Sequence, residues 1–97
     1  MNKFEDLCAE LDNLDIVYQL SPNSGINGEY ALFIGDSRRG SSCRVSYCYM
    51  IIAYNEEIDA FSYNIVIDRR HGVKITKSKE EVLARVARFY FEEYENV

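Results

Sequence analysis

Apolar residues in the first dozen positions recur every three or four: Phe4, Leu7, Cys8, Leu11 and then Leu14. That spacing predicts an amphipathic helix over residues 3–13, with Asn2 and Glu5 placed as a capping box at its start. The period then drops to two. DIVYQL (15–20) and EYALFI (29–34) predict strands, separated by SPNSGING, whose Asn27-Gly28 pair suits a positive-φ turn. After the turn GDSRRG comes the longest alternation, CRVSYCYMIIAY (43–54). It sets Val45, Tyr47, Tyr49, Ile51 and Ala53 on one face, and Cys48, Met50, Ile52 and Tyr54 with Arg44 and Ser46 on the other.

A turn through NEEID leads to a fourth strand, AFSYNIVID, in which Phe61, Tyr63, Ile65 and Ile67 share a face. RRHG makes the next turn, and VKIT (73–76) is a candidate short fifth strand. Ser78 with Glu81 opens a final helix over about 79–95, striped by Val82, Leu83, Val86, Phe89, Tyr90 and Tyr94. Phe91 falls off that stripe. The order α-β-β-β-β-α, with hairpin-length connections, predicts an α+β two-layer sandwich. Its antiparallel meander of four to five strands carries the N- and C-terminal helices on one face.

Length and composition fit that picture without changing it. Ninety-seven residues make one domain, 1–97, and 47% apolar with 28% charged is a globular composition. No apolar run reaches the length of a membrane span, and MNKFEDL is a charged, amphipathic start rather than a leader. Cys8, Cys43 and Cys48 are an odd count, which predicts reduced thiols in the cytoplasm.

Charge adds more. The net charge of −5 disfavours a general nucleic-acid or anionic-membrane binder. Its distribution is bipolar: residues 1–37 set Lys3 against seven acids, whereas 60–91 set seven Lys and Arg against three acids.

Familiar catalytic arrangements are not supported. GDSRRGSS has the glycine spacing of a phosphate loop but lacks its lysine and a following helix, so it reads as a hairpin turn. Cys43 and Cys48 would point to opposite faces of a regular strand, and the single His71 leaves a zinc shell incomplete. Glu56 and Glu57 sit in a polar turn, where nothing would tune a carboxyl group for acid–base work. The expectation is a protein that is not an enzyme and has no metal or cofactor.

Two charged groups point to binding instead. Arg69, Arg70, Lys74, Lys77 and Lys79, with His71, lead into the start of the final helix, where backbone N–H groups also favour phosphate. The α-β-β-β-α core order resembles the double-stranded-RNA-binding domain, which carries basic residues at that helix start. KSKEEVLARVA departs from that family's paired-lysine signature by placing Glu80 and Glu81 there. A nucleic-acid-binding module using these basic residues is the alternative reading.

The second group is acidic and aromatic. Glu92, Glu93 and Glu95 crowd the negative end of the final helix dipole beside Phe91 and Tyr94, and the 55–59 turn adds Glu56, Glu57 and Asp59. Acids and aromatics together suit an arginine-rich partner. MNKFEDL, DIVYQLS and the ending FYFEEYENV together resemble the small phage-encoded anti-CRISPR proteins. Some of those inhibit RNA-guided nucleases by presenting carboxylates where DNA phosphates would bind. The resemblance implies an inhibitor that binds a CRISPR effector nuclease and blocks nucleic-acid access. The basic stretch from Arg69 to Lys79 argues against strict nucleic-acid mimicry and leaves inhibition by direct protein binding. A homodimer through the third-strand face of Cys48, Met50, Ile52 and Tyr54 is a further expectation.

Overall fold

The structure, a computed structural model, describes residues 2–36, 48–67 and 72–93. Helix α1 spans Lys3–Asn13, and the Asn2 side chain accepts a hydrogen bond from the Glu5 N–H at 2.9 Å, as the capping pattern predicts. The helix ends without a glycine. Asp15 takes the left-handed conformation (φ 57°), its N–H bonds to the Asp12 carbonyl, and the Ile16 N–H reaches back to Leu11. This is a Schellman closure, with Ile16 and Leu11 both buried as its hydrophobic contact. It uses residues 15–17 to turn the chain, so strand β1 covers only Tyr18–Leu20 and not the expected 15–20.

Four further strands follow: β2 (Glu29–Asp36), β3 (Cys48–Asn55), β4 (Ala60–Ile67) and β5 (Val73–Thr76). They form one antiparallel sheet in the order β1-β2-β3-β4-β5, a meander in which each strand pairs with its sequence neighbour. VKIT is therefore a true fifth strand, and β2 runs two residues beyond the expected end. The expected start of the third strand, 43–47, lies outside the described residues. Between β1 and β2, Asn27 (φ 58°) and Gly28 (φ 74°) supply the anticipated positive-φ turn.

Helix α2 spans Lys79–Arg88, capped by the Ser78 side chain, which accepts from the Glu81 N–H at 3.1 Å. The α-helical pattern does not continue to residue 95. It widens into a π-helical turn over Phe89–Glu93, a change that no Gly or Pro in the sequence marks.

Both helices cover the same face of the sheet. Phe4, Leu7 and Leu11 of α1 and Val82, Val86 and Phe89 pack on Leu32, Ile34, Met50, Ile52, Tyr54, Phe61 and Tyr63. Met50 and Ile52 are fully buried there and Tyr54 nearly so. The face expected to pair two copies is thus the inner core face, occupied by the helices. The Cys48 side chain lies outside the described residues. Among the described residues no helix packs on the opposite face, and Phe33, Ile51, Ala53, Val73 and Ile75 remain partly or largely exposed.

Candidate functional site

The acidic turn between β3 and β4 begins at Asn55, whose side-chain oxygen accepts the Glu57 N–H at 2.9 Å. This Asx-type bond fixes the turn, and Asp59 closes it in the left-handed region (φ 52°). The Asp59 carboxylate accepts the Tyr54 hydroxyl at 2.7 Å on one oxygen and the Lys3 ammonium at 2.9 Å on the other. Lys3 also donates to the Lys77 carbonyl at 3.2 Å. The Tyr54 hydrogen bond first, and Lys3 second, hold the Asp59 carboxyl below its ordinary value. Burial, with Asp59 alongside, pushes Tyr54 up to about 12. Asp59 therefore ties α1 to the sheet and, unlike Glu56 and Glu57, has both oxygens engaged within the chain.

Glu56 and Glu57 are exposed. The Glu56 backbone N–H bonds to the Gly28 carbonyl at 2.9 Å, which holds this turn against the one that precedes β2. Its carboxylate accepts from the Tyr30 hydroxyl at 3.3 Å.

At the end of α2, Phe89 is fully buried while Phe91 is 54% exposed. The Phe91 ring meets Tyr90 edge-on, with centroids 5.3 Å apart, and Glu92 is exposed beside it. The Glu93 side chain, Tyr94 and Glu95 lie outside the described residues. The described members of the two acidic groups do not form one patch. Helix α2 starts near the Lys3–Asp59 contact, and Phe91 lies about 18 Å further along its axis at 1.5 Å per residue.

Of the basic group, Lys74 and Lys77 are exposed, whereas Lys79 pairs with Glu10 of α1 at 3.0 Å. That hydrogen bond raises the Lys79 pKa. Arg69, Arg70 and His71 lie outside the described residues.

One feature was not anticipated from the sequence. Between α1 and β1 runs a groove of about 410 Å³ whose lining includes Phe4, Cys8, Tyr18, Leu20 and Tyr30 together with the acids Glu5 and Asp12. Phe4 stacks on Tyr30 with centroids 5.1 Å apart. Burial pushes the Cys8 thiol up despite its hydrogen bond with Tyr18, which keeps it protonated at neutral pH. The signal was present as Glu5, Cys8 and Asp12 on one helix face, but the groove forms only where β1 turns back beside α1 and Tyr30 of β2 joins its lining.

Among the described residues no group of three or more His, Cys, Asp or Glu is placed to hold a metal ion. No helix there is long and apolar enough to cross a membrane. No family model matches the chain, and no curated protein or solved structure matches it either.

Proposed function

We propose that the protein is a non-enzymatic inhibitor that binds a basic, nucleic-acid-handling protein, an RNA-guided effector nuclease in the first instance, and blocks nucleic-acid access. The observation that carries this reading is the exposed Phe91 ring beside the exposed Glu92 carboxylate on the π-helical turn. Such turns are rare and recur at functional sites. An exposed ring beside an acid at the negative end of a helix departs from the usual preference of that end for cations. Both groups suit an arginine-lined groove, through charge-assisted hydrogen bonds and stacking of the guanidinium on the ring. Glu56 and Glu57 form a second acidic contact at a distance from the first. A nuclease channel built for closely spaced phosphates would steer such a domain to itself. The setting is cytoplasmic, with reduced thiols.

Titration of the protein into DNA-cleavage reactions of guide-loaded nucleases, at low and high salt, tests this. Inhibition is expected to weaken in Phe91→Ala and to be lost in the Phe91→Ala/Glu92→Lys double variant, with secondary structure intact. Normal inhibition by the double variant would rule out this surface. Salt-sensitive gel retardation of RNA or DNA by the isolated protein would instead favour a nucleic-acid module built on Lys74, Lys77 and the neighbouring basic residues.

A further inference from the structure

The acidic–aromatic groove adjoins a second feature, an edge of the sheet. Among the described residues β1 is the last strand on its side and pairs only with β2. The Ser21 N–H bonds to the Ala31 carbonyl at 2.9 Å, which sets the phase of the ladder. With Leu20 opposite Leu32, residues 19 and 33 form the next hydrogen-bonded pair, so the main-chain N–H and C=O of Tyr18 and Leu20 point away from β2. Proteins commonly blunt such edges with Lys, Pro or a bulge. Tyr18-Gln19-Leu20 has neither Lys nor Pro, whereas β5, on the opposite edge, carries Lys74.

Space and charge accompany the open edge. An open cleft of about 810 Å³ runs along it past Asp12 and Asp15. Val17 and Leu20 flank it, 73% and 51% exposed. Asp12 borders both this cleft and the groove, and among the described residues every charged one lining either is acidic. Burial first, with Cys8 and Asp12 close by, pushes Tyr18 up to about 12.

We propose that the β1 edge, with the groove beside α1, takes up an extended arginine-bearing segment of a protein partner by strand addition. Main-chain bonds to Tyr18 and Leu20 would supply affinity, and alternate side chains the selectivity. A guanidinium entering the groove would stack on the tyrosines and bond Asp12. Charge decides between occupants. A second copy would bring Asp12 and Asp15 of the two edges together, and a phosphate backbone would meet the same repulsion. The inference rests on the reading that the partner is a basic protein, but it uses a surface separate from Phe91 and Glu92.

The test is heteronuclear NMR of the full chain with a blocked Arg-Val-Arg-Val-Arg peptide, alongside its Glu counterpart and an Arg peptide N-methylated at alternate residues. The Arg peptide is expected to shift the amides of Tyr18, Leu20 and Asp12, while the other two do not. Asp12→Lys is expected to weaken binding about tenfold, the scale of one lost charge-assisted contact. Leu20→Pro removes an outward N–H without breaking a β1–β2 bond and is expected to abolish binding. The N-methylated peptide makes the same point on the unaltered protein. Equal binding of the acidic or N-methylated peptide, or Arg-peptide shifts confined to Phe91 and Glu92, would overturn the inference. A Phe91→Ala/Glu92→Lys variant that fails to inhibit yet binds the peptide normally would separate the two surfaces.

Discussion

Phe89 and Phe91 are the same residue type two positions apart, and their replacement by alanine is expected to have opposite consequences. Phe89 is fully buried against the sheet. A buried Phe truncated to Ala loses its transfer free energy and leaves a cavity, a cost of about 3–5 kcal/mol. A domain of this size is stable by about 5–10 kcal/mol, so Phe89→Ala removes roughly half of it. At about 4–8 °C per kcal/mol, the melting temperature should fall by at least about 12 °C. Phe91 is 54% exposed, so less than half of its ring area is covered. Alanine's better helix propensity offsets about 0.5 kcal/mol of that, which leaves a net loss below about 1 kcal/mol. Urea unfolding followed by circular dichroism measures both variants on one scale, with m-values compared to check that the unfolding reaction is unchanged. Equal losses, or a larger loss for Phe91→Ala, would refute the assignment of one ring to the core and the other to the surface. Loss of nuclease inhibition in Phe91→Ala despite its small stability change would separate binding from folding.

Two further outcomes follow from the caps and the tyrosines. Ser78→Ala leaves the Glu81 N–H without its capping oxygen and is expected to cost about 1 kcal/mol, while Ser78→Asp retains most of the stability; thermal melts of both check this. Tyr54→Phe removes the leading cause of the lowered Asp59 pKa, so that carboxyl should titrate closer to its ordinary value in an NMR pH series. In the parent, Tyr18 and Tyr54 ionise near 12 when folded and near 10 when unfolded. Their neutral forms therefore support the fold fully below about pH 10, and that support is lost as pH rises towards 12. Near-ultraviolet absorbance should show Tyr18 and Tyr54 among the tyrosines that ionise late, together with alkaline unfolding.

Much of the architecture is legible in local pattern. The stripe from Phe4 to Leu11 with Asn2 ahead of it gives α1 its bounds, and alternation through VKIT marks β5 despite its shortness. The sequence misleads where an unusual residue does a common job. Asp15 closes α1 in a conformation that glycine usually takes, so the first strand looks three residues longer than it is. The shift to a π-helical turn at Phe89 is hidden because the apolar stripe continues through it. The site was legible only in pieces. The exposure of Glu56 and Glu57 follows from their turn, but the engagement of Asp59 depends on Lys3, fifty-six residues away. The groove beside β1 needs α1 and the sheet to be packed before it exists.

The meander also sets an order in time. Each strand pairs with the one synthesised just before it, so the sheet can grow hairpin by hairpin through short loop closures, which favours rapid assembly. The helices obey a different schedule. α1 is made first, yet its Lys3 bonds to Asp59 and its Glu10 to Lys79, and the core it covers also requires Val82, Val86 and Phe89. On the ribosome, the N-terminal helix cannot complete its packing until the last helix emerges, and the core they share closes only in that final step.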